Sequence, residues 1–341
     1  MSDVPLKTDK HISSLDGIRA LSILLVLSCH MLPLGPSSLQ LNSLAGALGM
    51  SLFFGLSGFL IARFLWNDQN IPKFLVRRLA RIAPLALLVS AVYCLILQYR
   101  PDSFAAINLY VLNYWHSAIN PYVSPLWSLG VEMHFYVAIA IAVLFLGRGA
   151  FWLVGLGALV VTGLRIEDGG FANIQTHLRV DEILAGSMAA IAYENRAKPA
   201  VARVWRLLPH AFWPAVILLV LSSSPLMDPL YYFRAYFAGL SIASVVAMSN
   251  TWQTRVLGLP SLRYVAEISF ALYVWHSPFR HFWWDEGTTV ERYLFKRPLA
   301  FFCIFALAHL STFYFEKPIQ RLARNIRFDR AGRAGSRAKA P

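Results

Sequence analysis

Leu15-Asp-Gly-Ile-Arg-Ala-Leu-Ser-Ile-Leu-Leu-Val-Leu-Ser-Cys-His30 is apolar enough to cross a bilayer, yet it carries a guanidinium at Arg19 and ends on an imidazole at His30. The two residues are eleven positions apart. At 100° per residue that is about three turns plus 20°, so both side chains share one face of a helix, separated by about 16 Å of rise. That rise is roughly half a hydrocarbon core. A cation in mid-membrane costs on the order of 2.5–3.5 kcal/mol on insertion scales, so ionisable residues there mark function by default. A simpler role is open to each: Arg19 can pair with Asp16 three residues earlier on the same face, and His30 can be a polar group satisfied between helices. Ser13 to Asp16 also fits a capping box at the helix start.

Composition sets the class. Of 341 residues, 57% are hydrophobic and only 14% charged, against about 25% charged in soluble proteins, and the mean hydropathy is +0.52. The expected fold is all-α: a polytopic membrane helical bundle. Apolar stretches at 15–33, 45–65, 79–98, 128–147, 150–165, 179–194, 209–223, 232–249, 265–283 and 298–315 predict about ten transmembrane helices. The stretch 103–117 is short and rich in Asn and aromatic residues, which predicts an interfacial or re-entrant helix. The first run outlasts a signal peptide and lacks a small-x-small site, so it reads as a true span.

The net charge is +13. Its basic residues cluster between spans and in the tail, which points to topology rather than nucleic acid. Arg63, Lys73, Arg77, Arg78, Arg81, Arg148, Arg196, Lys198, Arg203, Arg206, Arg255 and Arg263 fall in alternate connections, whereas 34–44 and 224–231 carry almost none. The positive-inside rule then places both termini in the cytoplasm. The chain divides into a cytoplasmic lead (1–12), a membrane domain (13–318) and a basic cytoplasmic tail (319–341). Arg321, Arg324, Arg327, Arg330, Arg333, Arg337 and Lys339 of the tail are expected to meet anionic membrane lipid. Cys29, Cys94 and Cys303 all lie in apolar stretches, so they read as buried thiols.

Further chemistry-bearing groups gather in four places. In Ser124-Pro-Leu-Trp-Ser-Leu-Gly-Val-Glu-Met-His-Phe-Tyr136, Ser128, Glu132 and Tyr136 recur at i, i+4, i+8 and form one polar stripe; His134 falls off it. Counted from the helix start, Glu132 lies roughly 10 Å deep, close to the depth expected of His30, where a carboxylate can orient an imidazole. Arg77, Arg78 and Arg81 suit a topology determinant or a dock for a phosphorylated cofactor. Arg179, Asp181 and Glu182 open span six, where an ion pair between Arg179 and Asp181, or to another helix, is the simplest account. His276, with Tyr273 and Arg280 on its face, is either a second wall of the same cavity or a satisfied core histidine. No Walker loop, zincin motif or Gly-x-Ser-x-Gly elbow occurs, and no metal site is expected.

The chain resembles the acyltransferase-3 family of integral membrane O-acyltransferases over residues 13–318. The resemblance rests on Leu15-Asp-Gly-Ile-Arg-Ala with Arg19 and His30, Ser51-Leu-Phe-Phe-Gly-Leu-Ser-Gly-Phe-Leu60 and Arg77-Arg-Leu-Ala-Arg-Ile-Ala-Pro84. It continues in Pro125-Leu-Trp-Ser-Leu-Gly-Val-Glu132, Phe135-Tyr136, Arg179-Val-Asp181, Ile268-Ser-Phe-Ala-Leu-Tyr-Val-Trp-His276-Ser-Pro278 and Glu316-Lys-Pro318. Met133 and His134 stand where the family has Glu-Gln. The resemblance implies transfer of an acyl group, commonly acetyl from acetyl-CoA, to a hydroxyl of an extracytoplasmic glycan or lipid-linked sugar. By it, His30 is catalytic and Arg19 supports donor binding or catalysis. From the residues themselves, Glu132 is expected to assist His30, Arg19, Arg77, Arg78 and Arg81 to meet the phosphates of acyl-CoA, and Ser128, Tyr136, Asp181 and His276 to bind substrate. Some members carry a fused extracytoplasmic domain, so a separate acyl-accepting protein is a possible partner. The expected location is a bacterial inner membrane. The competing class is a proton-coupled transporter or flippase, in which Gly55 and Gly58 break span two.

Overall fold

The first apolar run folds as helix α1, Ser13–Met31. In this computed structural model residues 11–326 and 328 are described, and every regular element among them is helical. α2 (Leu41–Asn67) and α3 (Ile71–Ser90) follow, α3 continuing through π-type turns to Leu97. A short α4 (Pro101–Asn108) leads to α5 (Trp127–Leu146) and α6 (Trp152–Asp168). Next come α7 (Asp181–Glu194), α8 (Pro199–Leu207), α9 (Phe212–Ser222) and α10 (Arg234–Ala247). α11 (Trp252–Leu257), α12 (Pro260–Trp275), α13 (Arg297–Leu310) and α14 (Lys317–Asn325) complete the order. Of the basic tail, Arg327, Arg330, Arg333, Arg337 and Lys339 lie outside the described residues, as does most of the lead.

Among the described residues, seven continuous helical stretches are long and apolar enough to cross a bilayer, which makes this a multi-pass membrane protein. All ten expected stretches contain helix, but four do not stand as separate full-length spans. α5 and α6 run together, through a tight turn at Gly147, as one stretch of 45 residues. α7 has 14 residues and α12 has 16, short of a bilayer. Both are enclosed by protein along much of their length, where irregular backbone at their ends finds partners without lipid contact. α4, at 8 residues, is likewise too short to span.

Small residues set the closest packing. A Cβ on Gly58 of α2 would sit 1.8 Å from the Ile183 carbonyl oxygen of α7, and one on Gly186 of α7 would sit 1.8 Å from that of Gly55. The two helices therefore meet backbone to backbone, the contact that small residues permit in membranes. α2 is unbroken, so Gly55 and Gly58 form a packing seam and not the break considered from sequence. α1 packs between α2 and α12, and α10 backs both α2 and α7. Around this centre, large apolar side chains such as Trp152, Leu159 and Phe302 point outward, as lipid contact requires.

The expected capping box at Ser13 does not form. The N-cap is Ile12 with no side-chain bond, because the Asp16 carboxylate turns to His11 Nε2 at 2.9 Å.

Candidate active site

His30 is the penultimate residue of α1, and His276 follows the last residue of α12. The crossing of these helices brings His30 Nδ1 to 2.8 Å from His276 Nε2, with the rings nearly parallel at 9°. His276 Nδ1 lies 2.6 Å from the Tyr273 carbonyl oxygen. A carbonyl only accepts, so Nδ1 of His276 carries the hydrogen. In neutral His276, Nε2 then accepts, and His30 Nδ1–H donates to it. The chain of bonds leaves the lone pair of His30 on Nε2, where no described residue hydrogen-bonds it. Position, tautomer and a free basic nitrogen are thus set together, as a general base or nucleophile needs.

His30 lines a cavity of about 360 Å³ with Cys29, Asn42, Met50, Trp127, Arg179 and Tyr273. The Tyr273 hydroxyl donates to the Pro125 carbonyl and accepts from Ser128 Oγ at 2.7 Å. Ser128 therefore holds the wall of this cavity rather than lining it.

A second cavity, of about 460 Å³, opens around the start of α1. Arg19, Arg81, Arg263, Lys317, Arg321 and Arg324 line it, facing the carboxylates of Asp16, Glu267 and Glu316. Lys317 is paired with Glu267, whereas Arg19 makes no ion pair with a described residue: Asp16 pairs with His11 and the alternative of an Asp16–Arg19 bridge does not form. Arg19, Arg81 and Phe270 also border a narrow third space with Arg78, Glu132, Tyr136 and Phe53. A path along the shared face of α1 from Arg19 to His30 is interrupted there. The narrow space shares no lining residue with the imidazole cavity, and Phe53 on its wall stacks on Tyr273 of the other at 6.1 Å and 13°.

The polar stripe of α5 is real: Ser128, Glu132 and Tyr136 are all buried, and His134 points elsewhere, to Thr176 Oγ1 at 2.7 Å. Glu132, however, is not beside His30. It sits with Tyr136 among the guanidiniums of Arg19, Arg78 and Arg81. The reason is depth: His30 is one residue from the end of α1, whereas Glu132 is well over a turn inside α5. Asp181 does not reach a cavity. It is fully buried and paired with Arg165 of α6 at 2.6 Å, while Arg179 faces Glu182 at 3.4 Å. Arg77 lines none of the three cavities, unlike Arg78 and Arg81. Arg263, Arg321 and Arg324 join the basic cavity although the sequence suggested only topology or lipid contact, and Lys317 of the Glu316-Lys-Pro318 motif joins them.

The chain also matches known proteins. A family model described as an acyltransferase domain matches residues 12–317. A Staphylococcus aureus (strain COL) protein whose name assigns it O-acetyltransferase activity provisionally is 27% identical over 92% of this chain and 58% of its own length. The peptidoglycan O-acetyltransferase OatA of Listeria monocytogenes is 24% identical over 92% of this chain and 56% of its own. The O-acetyltransferase OatA of S. aureus (strain NCTC 8325 / PS 47) is 25% identical over 79% and 50%. The chain spans little more than half the length of these curated relatives. No solved structure matches it significantly. From the motifs, the helical architecture and the match over nearly the whole chain, this protein belongs to the acyltransferase 3 family.

Proposed function

We propose that this chain is an O-acyltransferase of a bacterial cytoplasmic membrane, with both termini inside, that moves an acetyl or related acyl group from cytosolic acyl-CoA to a hydroxyl of an extracytoplasmic glycan or glycolipid. The observation that carries the reading is the His30–His276 pair, which leaves a basic nitrogen on His30, at the opposite end of α1 from a cavity lined by six cations.

The basic cavity suits the phosphates of coenzyme A. Guanidiniums bind phosphate through paired N–H donors, and Arg19, unpaired among described residues, faces both this cavity and the narrow space beyond. The pantetheine arm then follows α1 toward His30. For the thioester to arrive, the Phe53–Tyr273 stack has to part; an aromatic pair of that kind contributes about 0.5–1.5 kcal/mol beyond its burial, a barrier that a bound arm can offset.

At His30, Nε2 takes the proton of the acceptor hydroxyl as its oxygen attacks the thioester carbonyl. The tetrahedral oxyanion collapses, the carbon–sulfur bond breaks, and the departing thiolate recovers the proton from Nε2. The products are an ester and free coenzyme A. Direct acylation of Nε2 followed by transfer uses the same free nitrogen. Glu132 stabilises the guanidinium cluster in this scheme, and Ser128 holds Tyr273 in the partition. The test is acyl transfer from radiolabelled acetyl-CoA in membranes carrying the protein or its His30→Ala variant. Loss of labelled product with normal membrane insertion supports the reading. Transfer that survives in His30→Ala, or movement of substrate without covalent transfer, overturns it.

A further inference from the structure

We infer that the acceptor taken up by the imidazole cavity is an anionic sugar, whose carboxylate or phosphate is held by Arg179. The inference rests on the reading of that cavity as the acceptor side and adds the chemical class of the acceptor.

The starting point is a charge count in a closed cluster. Arg165, Arg179 and Arg234 face Asp181 and Glu182, and all five side chains are at most 5% exposed. Arg165 bonds Asp181 at 2.6 Å, and Arg234 Nε donates to Glu182 Oε1 at 3.1 Å. Ser51 also donates to that oxygen, at 2.5 Å. Arg179 is left with the weakest share: its Nε lies 3.4 Å from Glu182 Oε2 and makes no hydrogen bond. Three cations against two anions leave one positive charge, and burying a charge without a partner is unfavourable.

Arg179 is the member of the cluster that lines the cavity shared with His30. Among the described residues no carboxylate lines that cavity; Asp168 accepts from Asn173 of its wall, and Arg280 lies within electrostatic range of His30 and Cys29. Asn42, Ser43 and Asn173 supply neutral hydrogen-bonding groups, and Trp127, under the Arg179 guanidinium at 5.9 Å, offers an aromatic face. Asn42 Nδ2 already donates to the Cys29 and Leu32 carbonyls and Asn173 Nδ2 to Asp168, so the amide oxygens and Ser43 are what remain for a ligand. An apolar ligand would use neither these nor the charge, and a neutral sugar only these. An anionic sugar satisfies both. A cavity of this size is within the range that holds small molecules.

Cys29, a free thiol on the cavity wall, makes the field measurable without any acyl transfer. In purified protein in nanodiscs, in a Cys303→Ala background, an anionic methanethiosulfonate is expected to modify Cys29 roughly tenfold faster than its cationic counterpart, each normalised to a free thiol, since a charge-assisted contact is worth that much or more. Glucuronate and glucose 6-phosphate are expected to protect Cys29 at concentrations roughly tenfold below those of glucuronamide and glucose. Arg179→Gln should collapse both ratios severalfold, and Arg179→Lys should keep most of each. Equal rates for the two reagents, equal protection by charged and neutral sugars, or an unreactive Cys29 overturns the inference, and none of these needs an Arg179 variant to fold. An inactive enzyme would sink the acyltransferase reading yet leave these rates unchanged.

Discussion

Replacing His276 isolates the orienting half of the imidazole pair. In His276→Ala, the Nδ1–H of His30 loses its acceptor, a bond of 2.8 Å between two largely buried rings. Leaving a buried donor unsatisfied costs about 1–3 kcal/mol, and the free ring can place its hydrogen on Nε2 instead, removing the lone pair that the reaction uses. The expected loss is roughly 5- to 140-fold in kcat at 1.4 kcal/mol per factor of ten, with KM for the donor nearly unchanged. His276→Gln returns an acceptor oxygen near the position of Nε2 and should recover most of the rate. The assay is steady-state transfer from radiolabelled acetyl-CoA by protein in nanodiscs, with kcat and KM separated. A wild-type kcat in His276→Ala, or a Gln variant as slow as the Ala variant, would refute the tautomer argument.

Arg19→Gln should raise the KM for acyl-CoA about tenfold, the scale of one charge-assisted contact, with insertion unaltered; unchanged donor dependence would remove Arg19 from the donor site. The double variant Arg321→Gln/Arg324→Gln should weaken donor binding and reduce its salt sensitivity, read from KM between low and high salt; an unaltered salt response would return these residues to lipid contact. Gly58→Leu drives a side chain into the α7 backbone, where even a Cβ meets an oxygen at 1.8 Å. It should lower thermal stability in detergent or abolish the folded yield, whereas Gly155→Ala, whose Cβ meets nothing within 4 Å, should be silent. Comparable melting of the two variants would count against a backbone-tight seam.

Local periodicity carried the reading of this chain as far as single helices. The shared face of Arg19 and His30, the stripe of Ser128, Glu132 and Tyr136, and the exclusion of His134 all follow from 3.6 residues per turn. What periodicity cannot supply is the relation between helices. His30 and His276 are 246 positions apart and meet only because α1 and α12 cross. Glu132 was misplaced because depth counted from one helix start says nothing about where its neighbour ends. Arg165, which no motif in the sequence singles out, is the partner of Asp181. Gly55 and Gly58 pattern equally well as a break or a seam, and only the facing Gly186 decides between them.

The most direct measurement is coenzyme A release from acetyl-CoA by the purified, membrane-reconstituted protein, comparing wild type with His30→Ala of matched folding. General-base removal typically costs 10²–10⁴-fold, so the variant should fall by at least about a hundredfold while retaining its melting temperature. A His30→Ala protein that frees coenzyme A at the wild-type rate would contradict the assignment of His30 as the reacting group.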